Sequence, residues 1–587
     1  MFFHSVLARA ALVKPAISAC CFFGLTATVF AQVVTVNQGG DWTSETRAAF
    51  YTQDQGSRIM PLAWMRALKL ADGTAFLKDS LSRYGYLPNP ENDEPDIPVG
   101  FTVANMDGVP SIGMTCSACH TRQIDVNGTA YRIDGGPGIV DFQSFLADLD
   151  SSSQSVLATE SSYDQFADEV LGAGASSTKK AELKLEVETW VLRFHTLIEG
   201  SLPDPAWGPS RLDAVSMIFN RIAGLDIGEP PTYLIRDNIQ TADAPTRYPF
   251  LWNAAVQDKT QWPGFSDNGN SLLGLSRNLG EVYGVFAVFH PQKQSGILKL
   301  NRDYLTVNSA NFSGLGTVED LIWKIGPPQW PWQFERGLAS VGKGIYERPT
   351  DQGGCAECHG IKKGAFRSPF HSTWATPIMD VGTDRRECEI LQRTVDTGIM
   401  NGAKVPFADA LKPKDKAFNL LATSVIGSII QHGLGNLSQQ DVALMREGNS
   451  SQLPSQFDDL KGAFRQPQFQ LESFVSAAAS AGKSGCAYES RVMEGIWAAA
   501  PYLHNGSVPT LEDLLKPASE RPTLFKLGPN YDIEAVGMAA EQSKFDYTLT
   551  TTDCSDVASG NSRCGHEFGT SLSDSEKKAL LEYLKVL

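Results

Sequence analysis

Two copies of the pentad Cys-x-x-Cys-His are the residues of this chain with the clearest chemistry. They are Cys116-Ser-Ala-Cys119-His120 and Cys355-Ala-Glu-Cys358-His359. Two thiols at i and i+3 can form thioethers with both vinyl groups of one porphyrin, and the adjacent histidine then lies under the iron as proximal ligand. A zinc site would need a second ligand pair at matching spacing, and a thioredoxin-type dithiol would not need the histidine. The sequence therefore predicts two covalently bound haem c groups.

Residues 1–31 have the pattern of a secretory signal peptide. A basic stretch precedes the apolar residues 16–30, and Ala31 ends a small-residue cleavage site. Lipid attachment at Cys20 is the alternative, but the apolar stretch before that cysteine is very short. Haem c is attached outside the cytoplasm, so both signals predict a periplasmic or secreted protein. No later segment has the roughly 18 unbroken apolar residues of a spanning helix, so we expect a chain that is not membrane-spanning.

Four cysteines remain once the pentads and the signal peptide are set aside. They are Cys388, Cys486, Cys554 and Cys564. An even number in an oxidising compartment predicts two disulfides. The pair in the Ser/Gly/Asn-rich loop, Cys554 with Cys564, is favoured, and Cys388 with Cys486 follows by elimination. Buried free thiols are the alternative.

The length of the chain indicates its domain organisation, and its charge limits the classes of partner. A chain of 587 residues is too long for one hydrophobic core, and the Pro-rich run 326–332 cannot be helical. We therefore predict an N-terminal haem c domain, 32–330, and a C-terminal haem c domain, 331–587. A net charge of −16 argues against nucleic acid as a partner and is compatible with a basic or dipolar electron donor.

Helical periodicity is clearest on both sides of the second pentad. Residues 332–346 have apolar side chains at helical spacing. Residues 572–587 form an amphipathic pattern in which Ser573 can cap the helix, with Glu576 three residues on. A helix before the haem motif that crosses a terminal helix resembles the cytochrome c fold. Since no regular strand pattern is evident, we predict a mainly α protein of two cytochrome c-like haem domains with long irregular loops.

Several strings resemble the bacterial di-haem cytochrome c peroxidase superfamily. Besides the pentads, these are Gly342-Lys-Gly-Ile-Tyr346 and Ala500-Pro-Tyr-Leu-His-Asn-Gly-Ser-Val-Pro-Thr-Leu511. Within it the chain is most similar to the branch of the haem c rubber oxygenases, through Arg132-Ile-Asp-Gly-Gly-Pro137, Tyr248-Pro-Phe-Leu-Trp252, Val381-Gly-Thr-Asp384 and Gly565-His-Glu-Phe-Gly569. The resemblance implies that the N-terminal haem binds peroxide or dioxygen. It also implies that the C-terminal haem is six-coordinate and passes electrons, assisted by a tryptophan between the two.

His566 is predicted to be the sixth ligand of the second haem. It lies in Gly565-His-Glu-Phe-Gly569, where two glycines allow the backbone to approach a flat ring closely. Met538 is the first alternative and His504 the second. No histidine or methionine is evident as a distal ligand of the first haem, which predicts an open site there. Of the other histidines, we expect His195, His290 and His432 to serve packing or capping and leave His371 unassigned.

The resemblance also supplies candidates for the reactive site and for electron transfer. Trp252 is the predicted tryptophan between the haems, with Trp262 as the alternative. Glu281 is the nearest match to the distal glutamate of the peroxidases, which would move a proton between peroxide oxygens. The rubber-oxygenase branch instead keeps this pocket apolar with a phenylalanine, for which Phe265 is the match.

These features predict a periplasmic di-haem oxidoreductase of the cytochrome c peroxidase type. It would activate peroxide or dioxygen at the N-terminal haem and accept electrons from a small cytochrome or a cupredoxin. A dioxygenase that cleaves an apolar substrate is one alternative, and a non-catalytic two-haem electron carrier is the other. The sequence leaves open a calcium ion between the domains.

Overall fold

A computed structural model describes residues 33–435 and 486–587, apart from 91, 93, 295–299, 368–370 and 406–407. The predicted signal peptide lies outside the described residues. The fold is mixed, 38% helical and 17% strand, with many small sheets. The prediction of a mainly α fold made of two cytochrome c-like domains is therefore wrong. Its strands have two to six residues, and so short an alternation hardly stands out in a sequence.

The α-helices include both elements that were predicted around the second pentad. In chain order they are α1 (Ser44–Thr52), α2 (Leu62–Ala67), α3 (Cys116–Cys119), α4 (Phe142–Leu157), α5 (Glu160–Leu171), α6 (Ser177–Ser201), α7 (Ala214–Phe219), α8 (Ser271–Gly284), α9 (Phe312–Ile322), α10 (Arg336–Tyr346), α11 (Ala356–His359), α12 (Arg386–Ile390), α13 (Ala417–Gly435), α14 (Leu511–Leu514) and α15 (Asp574–Val586). A π-helical stretch, Asn220–Leu225, continues α7. The capping box of Ser573 and Glu576 at the start of α15 is confirmed. Among the described residues, none of the helices combines the length and the apolar character needed to span a bilayer.

The strands form small sheets, of which two have three strands and the others two. In chain order they are β1 (Val33–Thr35), β2 (Met60–Pro61), β3 (Phe101–Met106), β4 (Val109–Met114), β5 (Thr121–Val126), β6 (Thr129–Asp134), β7 (Arg211–Leu212), β8 (Thr246–Arg247), β9 (Lys259–Thr260), β10 (Ser266–Asp267), β11 (Gln292–Lys293), β12 (Arg302–Asp303), β13 (Lys363–Arg367), β14 (His371–Trp374), β15 (Ile378–Met379), β16 (Thr394–Asp396), β17 (Lys414–Lys416), β18 (Tyr488–Glu489), β19 (Leu524–Lys526), β20 (Tyr531–Asp532), β21 (Gly537–Met538) and β22 (Thr548–Thr550). The three-stranded sheets have the orders β2-β4-β3 and β1-β6-β5. Because β4 leads into α3 and α3 into β5, these sheets hold the first pentad between them.

Buried apolar side chains form three clusters. The first packs α2, α4, α5 and α6 together. The third joins α7, α8 and α13 through side chains such as Phe219, Tyr283 and Val425. The second contains Ile124 from before the Pro-rich run and Leu580 from after it. The two halves of the chain therefore share a core, and the predicted boundary at residue 330 stays a prediction.

Two disulfides close the C-terminal half. Cys388 bonds Cys486, with Cα atoms 5.6 Å apart, and Cys554 bonds Cys564, with Cα atoms 5.1 Å apart. Both predicted pairs are confirmed. The four cysteines of the pentads are left outside the disulfides, so their sulfur atoms are available for thioether bonds.

Candidate haem-binding sites

The first pentad forms a single turn between two strands. Its cysteines lie at the two ends of α3, and His120 follows directly. The Nδ1 atom of His120 lies 2.9 Å from the carbonyl oxygen of Pro249. Burial lowers the pKa of His120 to about 4, so the ring is neutral at ordinary pH. A neutral imidazole that donates from Nδ1 presents Nε2 to a metal, which is the arrangement that a proximal ligand needs.

The second pentad repeats this arrangement with a different partner. Cys355 immediately precedes α11, and that helix ends with His359. The Nδ1 atom of His359 lies 2.7 Å from the carbonyl oxygen of Arg491. Burial lowers the pKa of this histidine as well. Both pentads therefore have the covalent and the coordinating groups that a haem c requires.

A large cavity, partly open to solvent, lies beside the second pentad and spans about 1270 Å³ including that open space. Cys355, Cys358 and His359 line one side, and His566 lies on the lining as well. Its walls are mostly apolar, through Val492, Ile496, Leu511, Leu514, Leu515, Leu580 and Leu584. Its size and its apolar walls fit a flat apolar cofactor such as a porphyrin.

The rings of His359 and His566 have their centres 6.0 Å apart. A metal bonded to two imidazoles through bonds of roughly 2 Å would hold the ring centres roughly 6 Å apart. The Nδ1 atom of His566 is buried without a hydrogen-bond partner in the described part of the chain. The spacing therefore fits an iron between these rings, and the assignment of His566 as sixth ligand stays a prediction.

Gly565, which precedes His566, is required for a reason other than the predicted close approach to a flat ring. Gly565 has φ +76°, and a Cβ atom there would lie 2.3 Å from the carbonyl carbon of Gly382. The backbone N–H of His566 donates to the carbonyl oxygen of Val381 at 2.8 Å. Glycine is thus required because another stretch of backbone passes here, and this contact fixes the His566 loop.

The alternative ligands Met538 and His504 lie in different places. Met538 is buried in the core cluster shared by both halves and does not belong to the cavity lining. His504 lines the cavity, and its ring stacks on Tyr488 with centres 3.7 Å apart. Among these candidates, His566 is the one whose ring faces His359 across a metal-sized gap.

Two buried arginines of the same cavity have unpaired donors. One guanidinium nitrogen, Nη1, of Arg247 and of Arg491 is buried without a hydrogen-bond partner among the described residues. Burial and the neighbouring Arg491 together lower the pKa of Arg247 to about 9. Arg491 is ion-paired with Glu489 at 3.5 Å, whereas Arg247 has no ion pair among the described residues. Because a buried cation is costly unless it is paired, the wall at Arg247 fits an anionic group of the cofactor. The propionate carboxylates of a haem are such groups.

A second, smaller cavity, partly open to solvent, spans about 540 Å³ between α7, α8 and α13. Its wall is mostly apolar, and its polar edge consists of Gln261, Ser266, Ser276, Arg277 and Glu281. Phe265 is on the same lining, so the structure brings together Glu281 and Phe265, the two candidates for the reactive pocket. The Glu281 carboxylate is close enough to the Cys116 sulfur to disfavour its thiolate, which puts this edge near the first pentad.

Neighbours on three elements influence the pKa of the Glu281 carboxyl. Burial raises its pKa, whereas Arg277, one turn earlier on α8, and the amide of Gln261 lower it. Gln261 donates from Nε2 to Oε1 of Glu281 at 2.8 Å. Arg277 also forms an ion pair with Glu319 of α9. A buried carboxyl with opposing influences on its pKa is suited to move protons.

The two candidate tryptophans differ in their surroundings. Trp252 is fully buried in the core cluster that both halves share, where its Nε1 donates to the carbonyl oxygen of Glu494 at 2.7 Å, and it lies outside both cavity linings. Trp262 lines the larger cavity, and the Arg247 guanidinium lies 4.7 Å from its ring centre. Trp252 also stacks on Phe250, with ring centres 4.6 Å apart, so both rings lie close to the residues between the pentads and the choice between them stays a prediction.

The remaining histidines have partners of their own. His195 lies 2.9 Å from Asp150, and the rings of His290 and His432 stack on Tyr233 and Phe312. The predicted packing roles of these three are confirmed. His371 is in β14, and its side chain lies outside the described residues. Over the described ranges, no group of three or more His, Cys, Asp or Glu side chains is arranged to hold a metal ion such as calcium.

A comparison with known families finds one segment of the chain similar to a cytochrome c-like family. Residues 487–526 match a family model described as RoxA-like, cytochrome c-like. This segment contributes Tyr488, Arg491 and His504 to the lining of the larger cavity. The match implies covalently bound haem c and supports a link to the rubber-oxygenase branch and a haem c oxidoreductase.

Two relatives come from Sinorhizobium fredii (strain NBRC 101917 / NGR234). The chain is 28% identical over 610 residues to its uncharacterized protein y4iJ, covering 93% of this chain and 92% of the relative. It is 23% identical over 347 residues to the uncharacterized protein y4iM, covering 59% of this chain and 60% of the relative. The similarity to y4iJ thus extends over almost the whole of both chains.

Proposed function

We propose that this protein is a two-haem c oxidoreductase that activates peroxide or dioxygen beside the first pentad and passes electrons through the second. The observation that supports this division is the unlike surroundings of the pentads. The second has a histidine ring, His566, 6.0 Å from His359. The first has an apolar cavity nearby with a single carboxyl, Glu281, on its edge. A six-coordinate iron suits electron transfer, and an iron with an open position suits an oxygen ligand.

The residues of the smaller cavity would act on the oxidant. A haem bound through Cys116, Cys119 and His120 would supply the redox centre. Glu281 would carry a proton to and from the oxygen atoms. Phe265 with the apolar side chains of α7 and α13 would exclude water.

A short chain of contacts joins the two proximal histidines. Pro249, whose carbonyl faces His120, is followed by Phe250. The guanidinium of Arg491 lies 4.1 Å from the ring centre of Phe250, and the carbonyl of Arg491 faces His359. We propose that electrons cross between the sites here, with Trp252, which stacks on Phe250 at 4.6 Å, as the nearby aromatic ring and Trp262 as the alternative.

The remaining parts of the proposal concern the whole protein. We propose that the chain is exported, that residues 32–330 and 331–587 each hold one haem, and that a small cytochrome or cupredoxin supplies electrons. The export signal and the two pentads support this arrangement.

A second candidate function is a dioxygenase that cleaves an apolar substrate. The RoxA-like match at residues 487–526 and the apolar cavity beside Phe265 favour it. The visible spectrum of the purified holoprotein separates the candidates. Turnover of hydrogen peroxide with a reduced cytochrome supports the peroxidase type, and a stable spectral change in air without peroxide turnover supports the dioxygenase. Two haems that respond to neither oxidant would contradict both.

The matched variant for this test is Glu281→Gln. It keeps the size and the hydrogen bonding of the side chain but cannot carry a proton. A peroxidase that uses Glu281 should lose roughly 100-fold or more of its turnover, the usual contribution of a general acid–base group. Unchanged peroxide turnover would exclude Glu281 from the reaction.

A further inference from the structure

One hairpin loop contributes side chains to both cavities. Strands β9 and β10 are paired, with Thr260 opposite Ser266, and residues 261–265 connect them. Gln261 and Phe265 line the smaller cavity, whereas Trp262 lines the larger one. A loop of five residues therefore contributes to both sites.

Gln261 has an unusual backbone conformation for a residue other than glycine. Its φ is +67°, in the left-handed region that residues other than glycine, asparagine and aspartate rarely adopt. A residue held in such a conformation points to a functional requirement when the surrounding structure enforces it. Here the conformation directs the amide onto the Glu281 carboxyl at 2.8 Å. It also turns the next residue, Trp262, toward the opposite cavity.

We propose that Gln261 is a positioning residue that holds the Glu281 carboxyl on the edge of the smaller cavity, at the expense of backbone strain. This inference rests on the proposed function of Glu281. Arginine or lysine here would form a permanent ion pair with the carboxyl and oppose its protonation. A neutral amide donor orients the group and leaves it free to accept and release a proton.

The other groups around Glu281 are less suited than Gln261 to orient its carboxyl. Arg277 lies on the same helix, but it is engaged by Glu319 of α9 and by Asn268, whose Oδ1 accepts from its Nη1 at 2.7 Å. Glu319 repels the Glu281 carboxylate and raises its pKa. On the side of the first pentad, Cys116 contributes only a thiol, or a thioether once haem is attached. The amide of Gln261 is therefore the neutral donor that fixes the direction of the carboxyl.

The test measures the carboxyl itself by infrared spectroscopy of the holoprotein over a range of pH. The protonated carbonyl band of Glu281 is the one that Glu281→Gln removes. Gln261→Met keeps the length of the side chain but cannot donate. The band should then change frequency, and its pH midpoint should rise by about one unit, because the carboxylate loses a hydrogen bond. Gln261→Gly should show the same shift and melt at no lower temperature than Gln261→Met, since glycine relieves the strained φ.

Asp107→Gly is the matched control. Asp107 is exposed in the turn between β3 and β4 and also has a positive φ, +51°. Its replacement relieves the same kind of conformation away from the cavities, so the band should stay unchanged. A band and a midpoint that are the same in wild type, Gln261→Met and Gln261→Gly would overturn the proposal. If Glu281→Gln loses the band but keeps its oxidant turnover, the proposed function of Glu281 is contradicted. The infrared spectra of the Gln261 variants then still decide whether Gln261 positions the carboxyl.

Discussion

At the scale of single residues, the two candidate iron sites share one contact of the proximal histidine and differ in their other surroundings. Each proximal histidine faces a backbone carbonyl with Nδ1, His120 that of Pro249 and His359 that of Arg491. This contact fixes the ring and its tautomer. The surroundings of the two sites differ, since His566 faces His359 and an apolar cavity lies near the first pentad. These unlike surroundings are the basis of the two roles that we propose.

Replacing His566 with Ala should open the sixth position of the haem in the larger cavity. The iron would lose a strong nitrogen ligand, so its visible spectrum should change from low spin to high spin and carbon monoxide should bind the reduced form. Met538→Ala is the control, because Met538 lies outside the cavity lining. A low-spin spectrum that survives His566→Ala and disappears in Met538→Ala would reverse the assignment.

Replacing Arg491 with Gln should lower the reduction potential of the same haem, by an amount on the order of tens of millivolts. A nearby positive charge favours the reduced form, and the substitution removes it while keeping the backbone carbonyl that faces His359. Arg491→Lys keeps the charge and should retain most of the potential. Potentiometric titration of the visible spectrum measures both. Equal potentials in wild type and Arg491→Gln would show that this guanidinium lies too far from the haem to matter.

At the scale of elements, the crossing of α10 and α15 supports the second pentad. Gly342 of α10 lies against Ala579 of α15, where a Cβ atom would come within 1.9 Å of the Ala579 carbonyl oxygen. The side chains of Ile345 and Leu580 fill the core next to this crossing. The capping box of Ser573 and Glu576 fixes the start of α15.

Gly342→Ala should destabilise the protein by roughly 2 kcal/mol or more, because the added methyl group forces the two helices apart. Gly344→Ala, two residues on, is the matched substitution. A Cβ atom there meets nothing within 4 Å, and alanine favours the helix by up to about 1 kcal/mol over glycine. Thermal or denaturant unfolding of the two holoproteins measures the difference. Equal stability of the two variants would contradict the close crossing.

At the scale of the whole molecule, the two pentads belong to one connected structure. A core cluster draws residues from both halves, and the loop 261–265 contributes to both cavities. The mixed fold of small sheets and helices differs from the mainly α fold that the helical periodicity near the C-terminus predicted. The proposal of one haem per half requires that both pentads carry their cofactor in the same chain.

The denatured protein should therefore exceed the mass of the processed polypeptide by two haem groups. Thioether bonds survive denaturation, so mass spectrometry counts the attached haems directly. The double variant Cys116→Ser/Cys119→Ser should retain one haem, attached at the second pentad. One adduct in the wild type would contradict the two-haem proposal even if the fold is correct.

The sequence alone determined the features that depend on residue type and short spacing. The haem attachment motifs, the histidine that follows each of them, both disulfide pairs and the capping box of the last helix all belong to this class. Each motif depends on groups within a few residues of one another. The disulfides were predicted by counting the cysteines that remain outside the pentads and the signal peptide. The two alternative candidates for the reactive pocket, Glu281 and Phe265, line the same cavity, although their roles stay predictions.

Only the tertiary structure decided the features that depend on distant contacts. The carbonyls of Pro249 and Arg491 could not be found from sequence, because every residue carries the same carbonyl and only the fold aims these two at a histidine. The stacking of Trp252 on Phe250 depended on the fold in the same way, and the role of Gln261 depended on a left-handed backbone. The fold class was missed for a related reason: strands of two to six residues are stabilised by partners elsewhere in the chain and leave little periodicity of their own.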